Sequence, residues 1–353
     1  MIIEKSAGKI VNIIIPKSPP DSIYILSVLG DLVNYFERID NMSNKKTNVQ
    51  FYPVKQRIVP NFKLAKVMNN LSQEKYDRMV IDGNSRKIVE KKNHKKHGDV
   101  ITTYKISNAD GYDNTDPLTE FDRAILSVCA SNWDEGNYFV TPAVILRGLT
   151  GKIGIGGNGK IHKEQRIAIM NSIIKLMSTI IWIDDSDVNE QLNYADTNNS
   201  KKCSAILPAY FVEKTINGQE ATIIYFDRES PLMEMARARK QLLTYDVSLL
   251  DVPNQNNTSM NITIKNYAMN RIQEIKLHKL NPILTFADVF KKCRIDNASA
   301  DTKMNARNVL IKFFEHLKSK GEINDFTVTK QRNSFYSIKF SYPPKSAQSR
   351  HSN

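Results

Sequence analysis

The strongest constraint in this sequence is an order of elements that occurs twice. In the first copy, Thr119–Ala130 carries Phe121, Ala124, Ile125, Val128 and Cys129 at three- and four-residue spacing, the period of a helix with one buried face. A short strand, Tyr138–Val140, follows. Thr141-Pro142 supplies an N-cap with proline at the first helical position and opens the helix Pro142–Leu149. The next helix, His162–Met177, has its apolar positions at Ile167, Met170, Ile173, Ile174 and Met177. The strand Thr179–Ile183 comes next. A polar insertion, Asp184–Lys202, then precedes a hairpin of Ala205–Glu213 and Ala221–Phe226 turned at Asn217-Gly218.

The second copy begins with helix Thr263–Lys279, short strand Ile283–Thr285 and helix Phe286–Cys293. Helix Asp301–Lys320 follows, with Ala306, Val309, Leu310, Phe313 and Leu317 inward and Gly321 placed to close it. Strand Glu322–Thr329, a tip at Lys330–Ser334 and a return strand Phe335–Tyr342 complete the unit. Three helices and a hairpin in this order predict a winged helix-turn-helix, here in tandem. The expected fold class is α+β, with the tandem units preceded by a further N-terminal α/β region.

The divisions that follow are 1–115, 116–228, a helical connector 229–262, 263–342 and a polar tail 343–353 expected to be disordered. In the first region, Lys9–Pro16 reads as a strand and residues 19–22 open a helix. Residues 78–106 alternate apolar and polar side chains around turns at Asp82-Gly83-Asn84 and His97-Gly98, which predicts a three-stranded meander.

The formal net charge of +13 and the pI near 9.4 favour an anionic partner, nucleic acid before all others. No run of about 18 apolar residues exists to span a membrane, and the N-terminus lacks the layout of a secretory signal. Three scattered cysteines, Cys129, Cys203 and Cys293, have no CxxC spacing and fit the reduced thiols of a cytoplasmic protein.

Residues 154–159, Gly-Ile-Gly-Gly-Asn-Gly, match G-x-G-x-x-G letter for letter. A dinucleotide fingerprint needs a strand before it and a βαβ unit around it; here a helix precedes it. Lys160 is followed by Ile161, so the phosphate-binding loop of nucleotide hydrolases is not spelled either. The loop reads instead as the turn into helix 162–177, where Lys152, Lys160 and the helix N-terminus face the phosphates of a DNA backbone. On that helix, Lys163, Gln165, Arg166, Asn171, Ser172 and Lys175 form the outward mix of amides, small residues and cations expected of a major-groove reader. On helix 301–320 the corresponding set is Lys303, Arg307, Asn308 and Lys312, and Lys330 and Arg332 mark a basic wing. Lys91, Lys92, Lys95 and Lys96 crowd one N-terminal turn and read as a further phosphate clamp.

No catalytic constellation, cofactor motif or metal site is predicted. His94 and His97 are flanked by lysines that oppose a cation, and no cysteine or carboxylate completes a ligand set. The carboxylates of residues 184–187 sit in a polar insertion and read as solvated.

Residues 115–342 resemble the plasmid replication initiators built of two winged helices, the iteron-binding Rep family. The resemblance rests on "LTEFDRAILSVCASNW", "FVTPAVILRGLTG", "ESPLMEMARARKQLLTYDVSLLDV" and "IKNYAMNRIQEIK", in that order. It implies double-stranded origin repeats as ligand, help in opening the origin, recruitment of a host initiator and replicative helicase, and a homodimeric repressor form. The expected function is a sequence-specific DNA-binding initiator, not an enzyme. A winged-helix transcriptional regulator, or a nicking enzyme acting through a tyrosine, are the alternatives.

Overall fold

The structure is a computed structural model and describes residues 56–60, 80–82, 85–94, 98–108, 118–152, 161–184, 201–216, 219–238, 242–331 and 334–344. The expected strand Lys9–Pro16 and the helix after it, the glycine-rich stretch 154–159, most of the polar insertion and the tail lie outside the described residues. The architecture is α+β with small antiparallel sheets.

In chain order the described elements begin with β1 (Gln56–Pro60), β2 (Val80–Asp82), β3 (Ser85–His94) and β4 (Gly98–Asn108). Helix α1 (Glu120–Asp134), β5 (Phe139–Val140), α2 (Pro142–Thr150) and α3 (Lys163–Ser178) follow. Strands β6 (Thr179–Asp184), β7 (Lys201–Ala205), β8 (Ala209–Ile216) and β9 (Gln219–Phe226) then lead into α4 (Pro231–Ala238) and β10 (Leu242–Asp246). After a 3-10 turn at Val247–Leu250 come α5 (Ser259–His278), β11 (Ile283–Thr285), α6 (Phe286–Lys292), α7 (Ala300–Ser319), β12 (Asp325–Gln331) and β13 (Ser334–Ser341).

Both repeats close in the same way. The short strand pairs with the last strand of each unit, which pairs in turn with the first hairpin strand. The sheet orders are β5-β9-β8 and β11-β13-β12. The caps expected from the sequence are made. Thr141 Oγ1 accepts from the Val144 N–H at the start of α2, with Pro142 next to it. Gly321, after α7, has φ of 75°, the left-handed conformation that glycine adopts without steric cost.

One strand goes elsewhere. The sequence placed Thr179–Ile183 in the first unit, but β6 pairs with β4 from Thr103↔Asp184 to Asn108↔Thr179, and with β7 on its other edge. The expected meander β2-β3-β4 therefore grows into a five-stranded sheet, β2-β3-β4-β6-β7. Periodicity shows that a segment is a strand and says nothing about which edge it will meet. Strand β1 likewise pairs with β10 of the connector, from Gln56↔Asp246 to Pro60↔Leu242.

Two main cores result. One gathers Ile125, Val128, Ile145, Leu149, Ile169, Ile173, Leu176 and Ile224; the other gathers Ile264, Met269, Phe286, Leu310, Phe313, Phe314 and Ile338. Each fully buried aliphatic side chain contributes about 1.5–3 kcal/mol. Helix α5 belongs to both: Ile262 lies in the first core, and Ile264, Ala268 and Ile272 in the second.

Candidate nucleic-acid interface

The pose of α3 is set by one carboxylate. Asp122 completes the capping box of α1 by accepting from the Thr119 N–H at 2.7 Å. Its other oxygen accepts from Ser172 Oγ at 2.5 Å, and Lys175 Nζ lies 3.2 Å from Oδ2. Nothing in the local sequence distinguishes Asp122 from an ordinary capping residue, so its second task was not legible there. The N-terminal end of α3 is fixed by Gln165, which accepts from the His162 N–H and donates to the Asn257 carbonyl at 2.7 Å. Arg166 donates to Thr222 Oγ1 on β9, also at 2.7 Å.

These contacts correct the sequence-derived face of the helix. Ser172 is buried, and Gln165, Arg166 and Lys175 bond within the protein. Ile167, expected inward, is 49% exposed, and Ile169 and Leu176 take the core positions instead. A helix with apolar residues at 167, 169, 170, 173, 174, 176 and 177 offers two overlapping stripes. Polar anchors on neighbouring elements decide between them. The exposed stripe carries Lys163, Glu164, Ile167 and Asn171.

Helix α7 buries the face expected of it, whereas Arg307, expected outward, is half-buried. Ala306, Val309, Leu310, Phe313 and Leu317 are buried; Met304, Asn308 and Lys312 are exposed, and Lys303 is half-buried. Arg307 lies with its guanidinium 5.3 Å from the centre of the Phe290 ring, a cation–π contact that ties α7 to α6. Placing Ile167 on Met304 brings α3 and α7 into register: buried Ile169, Ile173 and Leu176 fall on buried Ala306, Leu310 and Phe313, and exposed Asn171 falls on exposed Asn308.

Of the other expected contacts, Lys152 is exposed just beyond α2, and Lys330 is exposed on β12 near the hairpin tip. Lys91 and Lys92 lie on β3; Lys95, Lys96, Lys160 and Arg332 are outside the described residues. The cations are unevenly divided. Residues 263–342 hold 15 Lys and Arg against 7 Asp and Glu, whereas residues 116–228 hold 11 against 14. The excess positive charge therefore centres on the second unit.

The junction between the units is tight and polar. Arg123 of α1 lies 3.6 Å from Glu274 of α5 and 3.4 Å from Glu120, all three buried. Asn266 donates to the Leu149 carbonyl at the end of α2. Lys265 is buried and donates to the Leu250 carbonyl at 2.9 Å; burial lowers its ammonium to about 8. Gly151, at φ 78°, presses so closely on the 3-10 turn that a Cβ there would stand 2.5 Å from the Val247 oxygen. Such contacts hold α3 and α7 in one fixed relation.

Among the described residues no group of three or more His, Cys, Asp or Glu is placed to hold a metal ion, and no helix is long and apolar enough to cross a membrane. No family model matches the chain, and no curated protein matches it. Solved structures similar to it include two crystal structures of domains 2 and 3 of RctB. One is 10% identical, covering 79% of this chain and 99% of that one, with a TM-score of 0.37. The other is 9% identical over 74% and 93%, with the same TM-score.

Proposed function

We propose that the chain is a sequence-specific double-stranded DNA-binding protein with two winged-helix units, acting in the cytoplasm as the replication initiator of a plasmid or related mobile element. The observation that carries this reading is the recurrence of one unit. Two units have the same sheet order, and in each the helix before the hairpin exposes a stripe of polar and apolar side chains. A helix followed by a two-stranded wing is a form in which proteins reach base edges and backbone together. The cation excess of residues 263–342 supplies the attraction to phosphate, and the resemblance of residues 115–342 to Rep initiators points to origin repeats as the site.

In this reading α3 and α7 enter successive major grooves, while Lys330 and the β12–β13 hairpin follow the backbone. Binding at the repeats helps open the neighbouring duplex and brings in the host initiator and helicase, and a homodimer represses the chain's own gene. The protein acts by binding and not as an enzyme.

A protection footprint on the DNA flanking its own gene tests the proposal. Directly repeated sites of about 20 base pairs, two helical turns, are expected beside an AT-rich tract. Lys312→Ala should weaken binding nearly uniformly across sequences and lower the salt slope by about one unit. Equal affinity for single strands and duplex, or a covalent adduct after incubation with supercoiled plasmid and Mg²⁺, would refute it.

A further inference from the structure

Ile167 and Asn171 on α3, and Met304 and Asn308 on α7, occupy equivalent positions, and all four are exposed. Neither asparagine side chain has a hydrogen-bond partner among the described residues. Both sit in mid-helix, where asparagine is a poor helix former and caps nothing. A solitary exposed Ile or Met is ordinary on a protein surface. An exposed large apolar side chain, Ile167 or Met304, four positions before the same amide in both helices is not accounted for by stability.

The chemistry of the pair is specific. In the major groove, asparagine makes a bidentate contact with adenine N6 and N7, and an apolar side chain packs on the C5 methyl of thymine. A four-residue step spans about 6 Å along a helix, close to two base-pair steps of about 3.4 Å.

We infer that each unit reads a short core made only of A·T pairs, Ile167 and Met304 contacting a thymine methyl and Asn171 and Asn308 an adenine about two base pairs away, so the full site contains the same core twice. The inference rests on the DNA-binding reading and names what that surface recognises. The flanking cations, Lys163 on α3 and Lys303 and Lys312 on α7, hold phosphate and leave the discrimination to the pair.

The test is selection of binding sites by the full chain from a randomised duplex library, repeated with Asn171→Ala and with Asn308→Ala. Wild-type protein should return two A·T cores. Each variant should relax one core and leave the other, with a loss of discrimination of about tenfold to a hundredfold at the adenine. In the selected site, deoxyuridine in place of the core thymine removes only the methyl; it should weaken wild-type binding, while Ile167→Ala or Met304→Ala cancels the effect in its own core. Circular dichroism of the variants checks that the helices are intact.

Cores containing G·C pairs, or selection unchanged in both asparagine variants, would overturn the inference while leaving duplex binding standing. If no duplex is retained at all, the DNA-binding reading falls and takes this one with it.

Discussion

Replacing Gly151 by alanine separates backbone conformation from close packing at the junction of the two units. Gly151, Gly136 and Gly321 share nearly the same left-handed backbone, with φ of 78°, 79° and 75°. A side chain in that region costs about 1–2 kcal/mol at any of the three. They differ in what a Cβ would meet. Nothing lies within 4 Å at Gly136 or Gly321, whereas at Gly151 it would stand 2.5 Å from the Val247 oxygen and 2.6 Å from the Asp251 nitrogen. Both are backbone atoms of the segment that leads from the first unit to α5, and neither can rotate aside. Forcing extra volume into such a contact costs about 1–3 kcal/mol more, so Gly151→Ala should lose about 2–5 kcal/mol in total. Urea denaturation of the three alanine variants, followed by far-UV circular dichroism, gives the comparison directly. Duplex affinity measured beside it should fall for Gly151→Ala, because the 3-10 turn must shift and α7 moves relative to α3. If Gly151→Ala is no less stable than Gly136→Ala, the tight junction is wrong and the units are not held as described.

Asp122→Ala should destabilise the chain by about 3–5 kcal/mol in denaturant melts, because it leaves Lys175 with its buried partner removed and the start of α1 uncapped. Ser172→Ala, which removes one donor to the same carboxylate, should cost about 1–2 kcal/mol. Lys265 gives a pH signature, since burial lowers its folded-state value to about 8 from an ordinary 10.5. Below about 8 both states hold the proton and the burial cost is felt in full. Between those values the unfolded chain binds more protons, so stability rises with pH. The stability of wild type minus that of Lys265→Met should therefore increase from about pH 8 and level off above 10.5, and a flat difference would contradict the buried ammonium. With a thiol reagent at pH 8, Cys203 should label quickly, because it is exposed, while buried Cys129 should react only on unfolding and half-buried Cys293, whose thiol desolvation pushes up, should react far more slowly than Cys203. Two fast thiols would refute the placement of one of them.

Much of the chain was legible before its structure. Thr141-Pro142 announced α2, Gly321 closed α7, and the apolar spacing of residues 306–317 named the buried face of that helix correctly. Helix α7 was readable because its apolar residues form one unbroken stripe. Helix α3 was not, because apolar residues lie on more than one of its faces, and the outcome turned on a carboxylate 50 residues earlier in the chain. Strand β6 was recognised as a strand but assigned to the wrong sheet.

By itself the sequence determined the start of α2, the close of α7 and that one order of elements occurs twice, since caps, turns and apolar period are local properties of the chain. Only the tertiary structure decided which face of α3 is presented and which sheet β6 joins. It also showed that α5 serves both cores and that Arg123, Glu274 and Gly151 bind the units into one body. Those outcomes depend on pairings between residues far apart in sequence, whose energies come from burial and polar satisfaction in three dimensions and leave no periodic trace along the chain.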